Sequence, residues 1–424
     1  MRCPSEPVNL YRQTQQMETL SRPTISKTGT VNDTVSATKQ PSAELPATQP
    51  PKNQSRRIAA IDWVRGVAMV LMVLDHVSMA YNRNHLSSDS AALWIAGTQL
   101  GDVEFFTRWV SHICAPIFVF LAGTALAISV ERKLASGADA RQLDWGIIKR
   151  GAFIAILDPT LISLFSGGWR FQVLYAIGMA MLCMAFLRRL PNTLLLLLCL
   201  SWFFAGEWVT AFFWNPADTT HSILSALLVS SYSSPDLIIK YPLIPWLAMM
   251  ALGWVFGRYV LKFGAGTARF DVTTILWVWG AIGLSAFAVF RYFNDYGNLW
   301  LLRESATWIQ WLHVSKYPPS LTFTGLELGL TAWLLAIMIL FERRFGVRPN
   351  GPLLVFGQTA MFFYLIHRML LEGTATWLGF RGFIDQLWLI YLVTVLLLAV
   401  LYFPCRWYRD FKASNRHVWW TTYI

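Results

Sequence analysis

From Ile58 onward the chain alternates between long apolar stretches and short polar, Gly- and Pro-containing breaks. Ten such stretches fall near 58–81, 109–130, 147–166, 171–187, 192–213, 242–262, 272–291, 319–341, 352–374 and 386–405. At about 1.5 Å per residue, roughly 20 residues in a helix cross the hydrocarbon of a bilayer. The pattern predicts an all-α, polytopic transmembrane bundle of ten spans, or eleven if the short stretch 222–231 also crosses. The Gly206–Glu207 pair leaves room for a break within the fifth stretch. Residues 1–56 are rich in Ser, Thr, Pro and Gln and contain no apolar run, so they predict a disordered tail and no signal peptide. Residues 57–405 form the membrane domain, and 406–424 a basic tail.

Composition sharpens this reading. Of 424 residues, 55% are hydrophobic and 14% charged, well below the roughly 25% charged of an ordinary soluble protein. The net charge of +11 is distributed as topology rather than as a nucleic-acid-binding patch. With the N-terminus inside, inner connections and the C-terminal tail hold seventeen Lys and Arg and outer connections hold eight, before Arg56 and Arg57 are counted. That asymmetry predicts both termini in the cytoplasm. The five cysteines show no CxxC or CxxH spacing, so neither a disulfide framework nor a metal site is expected.

Polar residues inside the apolar stretches carry the candidate chemistry, because each charge near a helix centre is costly to insert. The first stretch holds Asp62, Arg65, Asp75 and His76. Arg65 and His76 are eleven residues apart, which returns to nearly the same helix face about 16 Å along the axis. Asp62 lies one turn before Arg65. His76, His112 and His367 fall at similar depth toward the outer side, with His313 in the outer loop before Lys316. A buried imidazole held neutral suits a general base acting on a hydroxyl or amine. Asp158 and Glu327 are further acids within spans, placed to pair with Arg65 or Lys316 or to mark a proton path. No Walker, GxGxxG, GxSxG or HExxH motif occurs.

Seven motifs occur in order: Asp62-Trp-Val-Arg-Gly; Asp75-His76; the run from His112 through Cys114-Ala-Pro-Ile to Gly123; Gln172-Val-Leu-Tyr-Ala-Ile-Gly; Tyr241-Pro-Leu-Ile-Pro-Trp-Leu; Lys316-Tyr-Pro-Pro-Ser; and Phe356-Gly-Gln through His367. Together they resemble a bacterial membrane family related to heparan-alpha-glucosaminide N-acetyltransferase, over about residues 57–405. The spacing of Arg65 and His76 also resembles that of sugar O-acyltransferases in the wider transmembrane acyltransferase superfamily. The resemblance implies transfer of an acyl group, acetyl above all, from cytoplasmic acyl-CoA to an extracytoplasmic glycan or other small acceptor. No cofactor is held permanently, and acetyl-CoA is a co-substrate.

In that scheme His76 matches the O-acyltransferase histidine and acts as base, oriented by Asp75 or His112, and His112 is the second catalytic candidate. Asp62 and Arg65 hold the donor near the inner mouth, and Gln172, Lys316 and His367 complete the binding residues. In the lysosomal relative an asparagine stands at the position of His76. The key histidine there lies in the loop before the second helix, where this chain offers His85. A bacterial inner-membrane location follows, with the lipid bilayer and acyl-CoA as partners, no nucleic acid, and a homo-oligomer compatible with the pattern. The alternative is a proton-coupled transporter or flippase, which the lack of a convincing internal repeat disfavours.

Overall fold

The computed structural model describes residues 58–218, 222–415 and 417–423. The expectation for the tail 1–56 lies outside the described residues. Each apolar stretch is occupied by helix. The first is α1 (Ala59–Tyr81), whose N-terminus is capped from afar: the Ala60 amide donates to Glu342 Oε2 at 2.8 Å. A carboxylate there offsets the positive end of the helix dipole.

The second stretch starts earlier than its hydrophobicity implied. A short amphipathic α2 (Asp102–Trp109) turns through residues 110–113 into α3 (Cys114–Ala135). Pro116 falls in the first turn of α3, where no intrahelical N–H is needed. The third stretch is α4 (Ala140–Leu157), which opens on an Asp139 cap and carries Arg141, Asp144, Lys149 and Arg150. At Pro159 the missing N–H and the ring interrupt the ladder. The chain widens into a π turn (Asp158–Ile162) before one more helical turn, α5 (Ser163–Ser166).

Strand β1 (Trp169–Phe171) leads into α6 (Val173–Leu187), followed by α7 (Asn192–Phe213). No break occurs at Gly206: α7 runs straight through it. One helical glycine costs only about 1 kcal/mol. Glu207 reaches out of the helix to accept from the Leu299 amide at 2.9 Å. The stretch near 222–231 holds α8 (Ile223–Leu228), a helix of 6 residues and far too short to cross.

Strands β2 (Tyr232–Ser233) and β3 (Leu237–Ile239) join β1 in the order β1-β3-β2. The parallel register pairs Phe171 with Ile239, so the residues that follow, Gln172 and Lys240, leave the sheet side by side. Next come α9 (Leu243–Gly264), α10 (Val272–Phe293), α11 (Trp308–Leu312) and α12 (Leu321–Phe345). The last are α13 (Pro352–Gln358), α14 (Ala360–Trp377) and α15 (Leu387–Ser414).

Seven helical segments among the described residues are long and apolar enough to cross a membrane: α1, α2–α3 together, α7, α9, α10, α12 and α15. The α13–α14 pair, bent by 91°, makes an eighth if counted as one broken span. This is fewer than the ten expected. The charged α4 does not qualify, and α6 is only 15 residues long. The chain is a helical, multi-pass integral membrane protein.

Close backbone contact fixes the centre of the bundle. A Cβ on Gly66 would lie 2.0 Å from Leu353 O, and one on Gly357 only 1.8 Å from Asp62 O, so α1 and α13 touch main chain to main chain. Gly123 and Gly253 do the same for α3 and α9. Lipid tails are as apolar as the helix faces, so small residues that admit close van der Waals packing drive this association.

Candidate active site

Along α1, positions 72, 75, 76 and 79 share one face by helical periodicity. That face borders a cavity of about 80 Å³. Met72, Asp75, His76 and Met79 form one wall, and His85 and Ser87 from the following loop form another. Arg108 at the end of α2, Ser111 in the turn that follows and Cys114 at the start of α3 add to the lining. Gln172 and Lys240 come from the ends of β1 and β3, and Lys316 and Tyr317 from the loop before α12.

His76 is oriented by a second imidazole. His76 Nδ1 and His367 Nε2 are 2.8 Å apart, and His367 Nδ1 lies 2.8 Å from Phe363 O. A carbonyl only accepts, so His367 Nδ1 carries a hydrogen, and in the neutral ring its Nε2 is the acceptor. His76 therefore donates through Nδ1 and keeps its lone pair on Nε2. His367 does this from behind, buried and outside the lining of the cavity.

His85 is set the other way round. Asn82 Nδ2 donates to Ser78 Oγ at 3.3 Å, and Ser78 Oγ lies 3.0 Å from His85 Nδ1. Giving each proton an acceptor assigns the Ser78 hydroxyl as donor to His85 Nδ1, which leaves the hydrogen of the neutral ring on Nε2. Burial pushes the His85 pKa down to about 4, against the opposing pull of Asp75, so the ring is neutral at physiological pH. The two cavity imidazoles thus offer one lone pair and one N–H.

Arg108 organises the acids. Its Nη1 lies 2.5 Å from Asp75 Oδ1, its Nε donates to Asp89 Oδ2 at 2.8 Å, and its Nη2 also contacts Asp89. Asp75 is thereby committed to Arg108, not to the His76 ring as expected from their adjacency. Successive helix residues point about 100° apart, so neighbours in sequence seldom face one another. Burial alone would raise the Asp89 carboxyl. Arg108, with His112 and Lys316, overcomes it and holds the group well below the usual carboxylate range. The main-chain oxygen of Asp89 accepts from the Lys316 amide at 2.8 Å, tying the loop after α1 to the loop before α12.

The remaining sequence candidates divide by position. Gln172 and Lys316 line the cavity. His112 does not: it is buried with Nε2 3.2 Å from Asp89 Oδ1, one residue past the cavity-facing Ser111. It supports Asp89 and cannot orient His76. Asp62 and Arg65 lie at the opposite end of α1. There Arg65 Nη1 is 3.5 Å from Asp62 Oδ1, and its Nη2 donates to Leu121 O at 2.8 Å.

Asp158 and Glu327 make no ion pair with Arg65 or Lys316 among the described residues. Asp158 Oδ2 instead accepts from the Gln172 and Tyr175 amides at 2.9 and 2.8 Å, capping α6. Glu327 is buried in α12, and its Oε1 has no hydrogen-bond partner among the described residues. His313 packs its Nε2 2.8 Å from Ser88 O, away from the cavity.

Reading the sequence placed His85 only through the family resemblance, and it missed Arg108, Lys240 and Tyr317 as site residues. Lys240 and Tyr317 adjoin or belong to quoted motifs, so a signal existed. Arg108 sits in a polar stretch whose helix the hydrophobic pattern did not show.

A model of the family described as heparan-alpha-glucosaminide N-acetyltransferase, catalytic, matches residues 57–286. That region includes α1, the His85 loop, Arg108, Gln172 and Lys240. No curated protein gives a significant match.

Proposed function

The chain belongs to the heparan-alpha-glucosaminide N-acetyltransferase family, and from that premise we propose that it is an acetyl-CoA-dependent acyltransferase working across a bacterial inner membrane. The acceptor is a sugar amine or hydroxyl presented from the extracytoplasmic side. Both termini are cytoplasmic, as the Lys and Arg asymmetry indicates. The donor's nucleotide end is held near Asp62 and Arg65, and its thioester reaches the cavity at the other end of α1.

One observation carries the mechanism: the His76–His367 hydrogen bond, which leaves a lone pair on His76 Nε2 at the cavity. The acceptor nitrogen or oxygen attacks the thioester carbonyl carbon and forms the new C–N or C–O bond. His76 Nε2 takes the acceptor's proton, and the C–S bond breaks. The proton then passes from His76 to the departing thiolate, so CoA leaves as a thiol. The His85 Nε2–H stabilises the oxyanion formed in between. Direct transfer requires both substrates bound together, and His76 forms no acyl intermediate.

Purified full-length protein supplied with labelled acetyl-CoA and a panel of amino sugars and glycans tests this. His76→Ala reduces transfer about 10²–10⁴-fold with donor binding retained. Near-normal turnover in that variant refutes His76 as the base. Absence of transfer from acetyl-CoA to any acceptor refutes the activity.

A further inference from the structure

Arg108 already has its carboxylates, but two other cations at the same cavity make no such ion pair among the described residues. Lys240 and Lys316 both line it, and Lys316 is 3% exposed. Among the described residues neither ammonium has a carboxylate within 4.0 Å or a hydrogen-bond acceptor. Their Nζ atoms lie 5.2 and 5.4 Å from the centroid of one ring, that of Tyr317, so the two charges converge on the same part of the cavity.

They are held there by backbone. The Lys240 amide donates to Phe171 O at 3.2 Å as the continuation of the β1–β3 ladder, and the Lys316 amide to Asp89 O at 2.8 Å. Burial pulls the Lys240 ammonium below its ordinary pKa, against the weaker opposing pull of Tyr317 and Asp89. Other groups facing this part of the cavity do not supply a carboxylate counter-ion. Asp75 and Asp89 are spent on Arg108, His85 is neutral and Gln172 carries no charge. Against its burial, the Tyr317 hydroxyl beside the two ammoniums is drawn below its ordinary pKa by Lys316, Arg108 and Lys240.

Buried cations need a partner. We infer that Lys240 and Lys316 form an anion-binding subsite that takes a carboxylate, sulfate or phosphate ester carried by the acceptor beside the group that is acylated. The inference rests on the acyltransferase reading for its source of the anion, though not for the subsite itself. The placement favours the acceptor over the donor phosphates. Both lysines belong to the end of the bundle that holds the His85 loop and the three-stranded sheet, whereas the donor's nucleotide end is assigned to the opposite end of α1.

The test uses the full chain in detergent with matched acceptors: one amino sugar and the same sugar bearing a carboxylate, sulfate or phosphate ester. Wild type prefers the charged member. Lys240→Gln and Lys316→Gln each lower the ratio of kcat/KM for charged over neutral acceptor by roughly 10- to 100-fold, the range of one charge-assisted hydrogen bond. Lys316→Arg, which keeps the charge, restores much of it. An unchanged ratio overturns the subsite.

A parallel arm compares acetyl-CoA with a short acetyl thioester lacking phosphates. If the variants weaken only acetyl-CoA, the anion belongs to the donor and the acceptor assignment is overturned. If no acceptor is acylated at all, the acyltransferase reading fails on its own, and sulfate binding then judges the subsite. Sulfate raises the thermal midpoint of wild type above that in chloride of equal ionic strength. An equal rise in the Lys240→Gln/Lys316→Gln double variant overturns the proposal.

Discussion

Replacing His367 by phenylalanine isolates the one contact on which the base assignment depends. His367 never reaches the cavity, yet its Nε2 accepts the Nδ1–H of His76 at 2.8 Å and its own Nδ1–H is held by Phe363 O at 2.8 Å. Phenylalanine fills similar space and removes both bonds. His76 Nδ1–H is then left without its acceptor, and the ring is free to turn or to move its hydrogen to Nε2, where it cannot act as a base. Leaving a buried donor unsatisfied costs about 1–3 kcal/mol. If that energy separates the productive ring state from the rest, kcat falls roughly 5- to 150-fold. His367→Gln, whose amide oxygen can accept from His76, recovers part of the loss.

The assay is initial-rate transfer of labelled acetyl from acetyl-CoA, with donor affinity measured separately by calorimetry. A wild-type kcat in His367→Phe refutes the relay. A fall in rate explained wholly by lost donor affinity refutes it too, since His367 is assigned no contact with the donor.

Other outcomes follow from other parts of the fold. His85 ionises near pH 4 when folded and near 6.5 when unfolded, so between these values the unfolded chain binds the extra proton and stability falls as the pH falls. His85→Gln should remove up to about 3 kcal/mol of that acid sensitivity, read as a flatter thermal midpoint between pH 6.5 and 4; identical pH profiles refute the buried neutral ring. Gly357→Ala drives a Cβ to 1.8 Å from Asp62 O and should lower the thermal midpoint by the equivalent of about 3 kcal/mol or more, whereas Gly146→Ala, with open space around it, should be neutral or stabilising. Arg108→Met strands the Asp75 and Asp89 carboxylates and should cost about 3–5 kcal/mol, enough to deplete folded protein in detergent extracts. Reporter fusions after Asn82 and after Lys133 should report opposite sides of the membrane, and a shared side refutes the orientation.

Hydrophobic pattern alone located every long helix among the described residues, because an apolar run of about 20 residues must satisfy its backbone internally wherever lipid surrounds it. It also marked His76 and Asp75 as misfits inside such a run. It could not see which misfits meet. The bend between α13 and α14 and the register of a three-stranded sheet are set by contacts between segments far apart in the chain, and these decide the site. His76 and His367 are separated by 291 positions and joined by one hydrogen bond. Asp75, adjacent to His76 in sequence, faces Arg108 instead, and His112, one residue from a cavity position, faces Asp89. Sequence spacing determines which face of a helix a residue occupies. The packing of helices against one another decides what that face touches, and so only the tertiary structure separated His76, the proposed base, from its neighbours and brought Lys240 and Lys316 to the same cavity.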